Sequence, residues 1–512
     1  MSFDSLAYDD FVFSPDSMLH PPESTLRYRP GGLHPVLLGD VICSANTRYH
    51  IVQKLGWGGS ATVWLAQNLA SLEWYSLRIR AAGCADEGED EVIEQLVSKA
   101  HSPHLPVIAE TFSITGPNGT HTVTVSDVIS PLDTTLRQLP PGSVDLKAIV
   151  RGLVEGVTHM HNAGIVHGDL HIRNVGLEMP SLKDEDYGGG DPYRPACSCM
   201  PDVIVVLAKS PNAHVLCARG HFPRYQVAPV DLASHYVQLS SKLPSHKHLV
   251  KIFDFGNARL TRSSHATNGF IDDVLPPEWA IRCEASESDI DVMLDTSSDI
   301  WALGLMIFRI MSRGATLIRD GSDFRETLKL VGTIPRAWKT SYPGVDFPAA
   351  SEVTPEISQR LWQKHWVSVR RTCVSDEDAS ALVALLQRIV ILDPTSRPSA
   401  ADILRDPWFS IHERREQPND MGGMLPQSPR VQPLFHARPS YQPPFAPSYT
   451  QLHGLQPSLV HSGPQSDPVH PLYHHPTLFY TSSPPVAPSS FPQPGPSAPC
   501  LPVYVHPTHL SP

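Results

Sequence analysis

The chain has 512 residues, a formal net charge of −12 and a pI near 6.1, which argues against a surface built throughout to bind nucleic acid. No apolar run approaches the roughly 20 residues needed to cross a bilayer as a helix, and the acidic N-terminus MSFDSLAYDDFVF lacks a secretory pattern. The eight cysteines are scattered, with only Cys197 and Cys199 close together, as reduced thiols of a cytoplasmic or nuclear protein would be.

Residues 1 to about 26 lack periodicity and read as a flexible arm. Arg29-Pro30-Gly31-Gly32-Leu33-His34-Pro35 then leads into a β-rich region that starts near Tyr49-His50-Ile51-Val52. Ala61 to Ala66 and Trp74 to Ile79 have strand composition. Between Asp86 and Ala100, Val92, Ile93, Leu96 and Val97 form a helical stripe. Thr111-Phe112-Ser113-Ile114 and Thr122-Val123-Thr124-Val125 flank Gly116-Pro117-Asn118-Gly119, a hairpin signal.

From Leu132 onward the pattern turns helical. Leu146 to Asn162 places Ile149, Leu153, Val154, Val157 and Met160 at helical spacing, and Ile300 to Met311 is apolar enough for a buried helix. Ala381 to Leu392 is a further amphipathic helix, and Asp406-Pro407-Trp408-Phe409 closes the globular part. Residues 411–512 are rich in Pro, His and Ser and bury too little apolar surface to offset chain entropy, so they read as a disordered tail. Pairs such as Pro484-Pro485 are candidate ligands for proline-reading domains.

The chemistry is concentrated in three places. Leu55 to Val63 holds Gly56, Gly58 and Gly59 between two strand-like runs, so backbone amides can close over a triphosphate without side-chain obstruction. Val166-His167-Gly168-Asp169-Leu170-His171-Ile172-Arg173-Asn174 spaces an Asp five positions from an Asn. Phe253-Asp254-Phe255-Gly256 follows, at 254 − 174 = 80 positions beyond Asn174. In this order the three resemble the glycine loop, catalytic loop and metal-binding turn of a protein kinase. The resemblance implies Asp169 as the residue that orients and deprotonates a substrate hydroxyl, Asn174 and Asp254 as magnesium ligands, and Gly56, Gly58, Gly59 and Val63 as cover for ATP. Arg78 falls where kinases carry a lysine for the nucleotide phosphates, and an arginine there is not an equivalent cation. Glu89 is the first choice for its helical partner, with Glu91 and Glu94 as alternatives. His171 stands in the place of a second lysine and is a further candidate for catalysis. Gly168 replaces an arginine that reads activation-loop phosphorylation, so that control is not expected. The hinge is expected at Ser126 to Ile129, where the backbone of Asp127 and Ile129 would meet adenine.

Pro276-Pro277-Glu278, Ser298-Asp299-Ile300-Trp301 and Asp393-Pro394-Thr395-Ser396-Arg397 match later structural signals of that fold. Gly31-Gly32-Leu33-His34-Pro35, Lys54 to Leu65, the Phe112 to His121 hairpin and the spacer before Gly256-Asn257-Ala258 resemble the SR-protein kinase family, most of all its filamentous-fungal branch. The resemblance covers about residues 27 to 410. It implies an α+β bilobal kinase fold, with a small lobe over 48–130, a large lobe over 131–410 and a spacer insert at about 180–244. It also implies ATP and Mg2+ as cofactors and Arg/Ser-rich splicing factors as substrates, without direct nucleic-acid or membrane contact. Two rival readings stand beside it: a pseudokinase used as a nucleotide-binding or scaffold module, and a small-molecule phosphotransferase. Both terminal segments are expected to be dispensable, so that residues 27–414 suffice for folding.

Overall fold

A computed structural model describes residues 10–13, 22–84, 87–99, 101–179, 204–230, 232–240, 248–261, 274–284, 295–318, 324–334, 336–342, 344–349 and 351–411. The stretch beyond Ile411, the acidic piece Asp184 to Gly190 and residues 262–273 lie outside them.

The first lobe is an antiparallel sheet. A short strand β1 (Phe11–Phe13) stands apart from it, and β2 (Val41–Cys43), β3 (Arg48–Trp57), β4 (Ala61–Asn68), β5 (Trp74–Arg80), β6 (Ile108–Gly116) and β7 (Gly119–Ser126) follow. The sheet order is β2-β3-β4-β5-β7-β6. Its inner face buries Ile51, Trp64, Ala66, Leu77, Ile79, Val123 and Val125. All but Ala66 and Leu77 are β-branched or aromatic, types that suit a half-buried pleated surface. The sheet starts at Val41 rather than at residue 48, because Val36 and Ile42 close one end of that core. Helix α1 (Glu87–Lys99) buries Val92 and Leu96 and leaves Val97 exposed.

β8 (Ile129–Pro131) connects the lobes and pairs with a strand of the second one. That lobe is built on α2 (Leu132–Gln138), α3 (Leu146–Asn162) and a later helix, Thr296–Met311. The Asp145 side chain caps α3 by accepting from the Ala148 N–H, which satisfies one of the free amides at the helix start. Thr296–Met311 is buried on nearly every face, so it is the central post of the lobe. Trp408 and Phe409 seal the base.

β9 (Ile165–Val166) and β10 (Val175–Glu178) flank the catalytic loop, and β11 (Ile204–Ala208) begins the described part of the spacer. The spacer continues as α4 (Pro211–Ala218), β12 (Tyr225–Val227) and α5 (Leu232–Ser240). β11 pairs antiparallel with both β12 and β1, placing Phe11 opposite Ala208 and Phe13 opposite Val206. The flexible arm expected over residues 1 to about 26 is therefore corrected in part. Phe11 is buried in a small core with Tyr28, Leu33, Val206, Leu216 and Phe222, and ordering it removes that apolar surface from water. Glu23 is also buried and forms an ion pair with Lys54 of β3. These contacts join distant parts of the chain, and periodicity within the arm carried no trace of them. The turn Pro117-Asn118 is likewise more than a turn. Asn118 is buried, donates to the carbonyls of Leu33 (2.7 Å) and His221 (2.8 Å), and accepts from the Gly31 N–H (2.8 Å).

β13 (Val250–Ile252) and β14 (Arg259–Leu260) bracket the Asp-Phe-Gly turn. α6 (Pro277–Glu284), α7 (Thr296–Met311), α8 (Phe324–Val331), α9 (Arg336–Ser341), α10 (Pro355–Arg370), α11 (Asp376–Ile389) and α12 (Ala400–Leu404) complete the lobe. No helix among the described residues is long and apolar enough to cross a membrane.

Candidate active site

The glycine loop is the turn between β3 and β4. Gly56 pairs with Val63, Trp57 with Thr62, and the Gly58 N–H donates to the Ala61 carbonyl at 2.9 Å. A Cβ added at Gly56, Gly58 or Gly59 would meet nothing within 4 Å, and none of the three has a left-handed φ. Neither packing nor backbone conformation demands glycine at these positions. The open space suits a ligand that approaches the backbone closely.

Arg78 lies opposite Val63, in the register where the sequence places it. Its Nη1 donates to Glu89 Oε1 at 2.5 Å, and its Nη2 lies 3.4 Å from Ser60 Oγ and 3.8 Å from Asp254 Oδ1. Glu89 also accepts from Arg80 at 3.1 Å, while Glu91 and Glu94 are exposed. One strand therefore sends two arginines to one carboxylate on α1. The glycine of the metal-binding turn lies close under both side chains: a Cβ at Gly256 would stand 3.2 Å from Arg78 Nη2 and 3.4 Å from Asp254 Oδ1, so the guanidinium would have to give by a few tenths of an ångström.

The catalytic loop hangs from Asp299 at the start of α7. Its carboxylate accepts from the N–H groups of His167 (2.8 Å) and Gly168 (3.0 Å) and from His161 Nε2 (3.0 Å). Gly168 has φ of +73°, a region an arginine enters only with strain. The Asp169 N–H points to His167 Nδ1 at 3.3 Å, and Asn174 Nδ2 donates to the Asp169 carbonyl at 3.0 Å. Asp169 Oδ2 accepts from Asn257 Nδ2 at 3.3 Å, whereas buried Oδ1 has no hydrogen-bond partner among the described residues. His171 Nδ1 accepts from the Arg173 N–H, so its neutral ring carries the proton on Nε2, which lies 3.6 Å from Asp169 Oδ2.

Asp254 sits with φ 63° and ψ 73°, left-handed for a residue other than glycine. Such a conformation costs energy and is found at functional sites. It leaves the carboxylate half exposed on the same side as Arg78. The Phe255 ring packs on the His167 ring at 5.3 Å, tying the metal-binding turn to the catalytic loop. Asn174 and Asp254 lie at the two ends of one short connection, since the Phe253 N–H donates to the Asn174 carbonyl at 2.9 Å. An amide oxygen and a carboxylate are the hard donors that magnesium takes.

At the hinge the Asp127 side chain is already engaged: its carboxylate binds Lys251 and accepts from the Val107 N–H at 3.1 Å. The Val128 carbonyl accepts from the Met179 N–H at 2.9 Å, and Ile129 pairs with Glu178. Asp127 thus braces the joint between lobes through its side chain. Deeper in the large lobe, Arg397 grips Glu278 with both Nη atoms (2.9 and 2.6 Å) and stacks over Trp301 at 5.2 Å.

A family model of the protein kinase domain matches residues 239–409, from just before the Asp-Phe-Gly turn to the end of the described fold. Over those residues the chain carries the signature of a protein kinase domain. Its relatives are serine/threonine kinases of the SRPK kind, which the lead-in segment and spacer already suggested. The Physarum polycephalum serine/threonine-protein kinase SRPK is 26% identical over 76% of this chain and 91% of its own length. Serine/threonine-protein kinase SKY1 of Saccharomyces cerevisiae is 32% identical over 31% of this chain, and SRSF protein kinase 3 of Homo sapiens is 32% identical over 36%. This chain spans 24% and 36% of those two relatives. A solved kinase-domain crystal structure aligns at 15% identity with a TM-score of 0.46, over 74% of this chain and 98% of its own, a likeness too loose to argue from.

Sequence reasoning missed three residues of this site. Asn257, directly after the turn glycine, holds Asp169; its position in the string was the available signal. Arg80 shares Glu89, which the two-residue period of a strand allows, since positions 78 and 80 project to the same face. Arg27 reaches the glycine loop from outside the kinase motifs, and nothing local marks it.

Proposed function

We propose that this chain is a Mg-ATP-dependent protein serine/threonine kinase. The observation that carries the reading is the Asp169 carboxylate. One of its oxygens is held by Asn257, the other is buried without a hydrogen-bond partner among the described residues, and Asn174 Nδ2 donates to the Asp169 carbonyl. A buried orphan acceptor costs free energy, and a substrate hydroxyl would satisfy it. Asp169 would receive the proton of that hydroxyl as its oxygen takes the phosphoryl group. Asn174 and Asp254 are the residues that would hold magnesium, and the glycine loop would cover the phosphates. Bound Mg-ATP supplies the phosphoryl group and neutralises its charge. His171, whose Nε2 lies 3.6 Å from Oδ2, would support the same carboxylate oxygen that Asn257 holds and leave Oδ1 to the substrate.

Arg/Ser-rich proteins are the proposed substrate class, on the strength of the SRSF protein kinase relatives, and cytoplasm and nucleus the proposed location. A second reading, nucleotide binding with little turnover, is favoured by one observation. Arg78 Nη2 stands 3.8 Å from the carboxylate that would hold metal, with a planar fork in place of a compact ammonium. Radiolabelled phosphate transfer from ATP to an Arg/Ser peptide and to a generic basic protein decides between them. Transfer abolished by Asp169→Ala establishes the kinase. Magnesium-dependent ATP binding without transfer establishes the second reading.

A further inference from the structure

Arg27 lies outside every motif used so far, yet its guanidinium is spread over the glycine loop. Nη1 donates to the Gly58 carbonyl at 2.6 Å and Nη2 to the Gly59 carbonyl. Its backbone is held firmly. Arg27 ends the 3-10 turn Thr25–Arg27, and its carbonyl accepts from the Leu33 N–H at 2.9 Å. Gly32 passes so close that any Cβ there would collide with that carbonyl. The next residue, Tyr28, is buried edge-on to Phe222 of the spacer at 5.2 Å and bonded to Glu23. Glu23 in turn is held by Lys54 of β3, and its carbonyl accepts from Gln226 of β12 at 3.1 Å. The arginine therefore projects from a frame anchored in the small lobe and the spacer, while the loop it touches has no packing of its own at Gly56, Gly58 or Gly59.

In a trans peptide the carbonyl and the following N–H point in opposite directions. Drawing the Gly58 and Gly59 carbonyls to Arg27 turns the N–H groups of Gly59 and Ser60 the other way. Ser60 Oγ lies 3.4 Å from Arg78 Nη2, the cation expected to meet the phosphates, so we take that other way to be the phosphate side. We propose that Arg27 is a positioning residue for the nucleotide phosphates: it fixes the orientation of the Gly58 and Gly59 peptides so that the loop amides are presented to a triphosphate before it binds. The inference rests on the nucleotide reading above. Pre-organised donors avoid the ordering cost that a loose glycine loop incurs on binding. Arginine suits the task because its fork meets two successive carbonyls at once, which a single ammonium does not.

The test titrates Mg-ATP and, separately, adenosine into the full chain by calorimetry, for the natural protein, Arg27→Ala, Arg27→Lys and Arg29→Ala. Arg29 is an exposed neighbour and controls for net charge. Loss of two charge-assisted hydrogen bonds should weaken Mg-ATP about tenfold in Arg27→Ala. Arg27→Lys should fall between, Arg29→Ala should match the natural protein, and adenosine should bind all four alike. The proposal is overturned if Arg27→Ala binds Mg-ATP as the natural protein does, if adenosine weakens in parallel, or if Arg29→Ala weakens Mg-ATP equally. Should Arg27→Ala fail to fold, Arg27→Lys carries the test, and Mg-ATP affinity equal to the natural protein's overturns it. If the natural protein binds no Mg-ATP, the functional reading itself fails, an outcome visible before any variant is compared.

Discussion

Nη1 of Arg78 lies 2.5 Å from Oε1 of Glu89, and the same carboxylate also accepts from Arg80 at 3.1 Å. The strand-to-helix ion pair of a kinase small lobe is therefore present with arginine in place of lysine, and with a second arginine on the far oxygen. Glu89 is held even when Arg78 is altered, which makes position 78 a clean one to vary.

Arg78→Lys should accelerate phosphoryl transfer. The compact ammonium would vacate the space beside Asp254 Oδ1 that the guanidinium now occupies, and a displacement of ~1 Å at such a site changes rates by about a hundredfold. Single-turnover rates on one peptide should rise at least about tenfold, and the gain should vanish when Asp169→Ala is added. A variant no faster than the natural protein would show that Arg78 is well accommodated.

Much of this arrangement was legible in the sequence. Strand register put Arg78 opposite the glycine loop, and helical phase ranked Glu89 first while leaving Glu91 and Glu94 as alternatives. The helix Leu146–Asn162 was bounded to the residue because Asp145 caps it and its apolar stripe runs unbroken. What stayed hidden depends on contacts between distant segments. The pairing of Phe11–Phe13 with the spacer, the burial of Glu23 against Lys54 and the docking of Asn118 arise from tertiary packing of short pieces with no period of their own. α10 was missed because its exposed face is long and polar and only Ser358, Trp362 and Val369 are buried.

The N-terminal boundary is sharply testable through Lys54. Its side chain is fully buried, and burial pushes its pKa down, opposed by Glu23. Removing one partner of a buried pair leaves an uncompensated charge and costs about 3–5 kcal/mol. A chain of residues 27–414 lacks Glu23, so it should be destabilised by that order relative to 10–414 in urea unfolding. Lys54→Met in the shorter chain should restore the part of the loss that comes from the unpaired charge, leaving the part due to the lost burial of Phe11. Equal stability of the two lengths would mean that the lysine finds another partner or water.

Acid should weaken the fold through His34. This imidazole is buried against His121 at 4.8 Å, and burial first, with His121 second, lowers its pKa to about 3. The unfolded value is about 6.5. Between the two, the unfolded chain binds the proton and the folded chain does not, so the contribution is complete above pH ~6.5 and is lost progressively as pH falls toward 3. The slope approaches about 1.4 kcal/mol per pH unit for one such group. His121 is lowered too, and His365 falls to about 4, so the readout is a difference. His34→Gln should lose less melting temperature between pH 7 and pH 5 than the natural protein, and equal losses would remove His34 from the account.

Asn257 supplies the last prediction. Its amide is the only side-chain donor hydrogen-bonded to the Asp169 carboxylate among the described residues, at 3.3 Å, and it leaves Oδ1 free for the substrate hydroxyl. Asn257→Ala would let the carboxylate rotate about its last torsion, so fewer molecules hold the reacting geometry at any moment. Loss of one orienting hydrogen bond in a catalytic site is worth on the order of 1–3 kcal/mol, which corresponds to a fall in kcat of roughly tenfold to a hundredfold. Mg-ATP affinity should stay unchanged, because Asn174 and Asp254 keep their own supports in the Phe253–Asn174 backbone bond and the Phe255–His167 contact. Asn257→Asp would place a second carboxylate against Asp169 and should be slower still. A loss of Mg-ATP affinity with kcat preserved would move Asn257 from the hydroxyl side of the site to the nucleotide side.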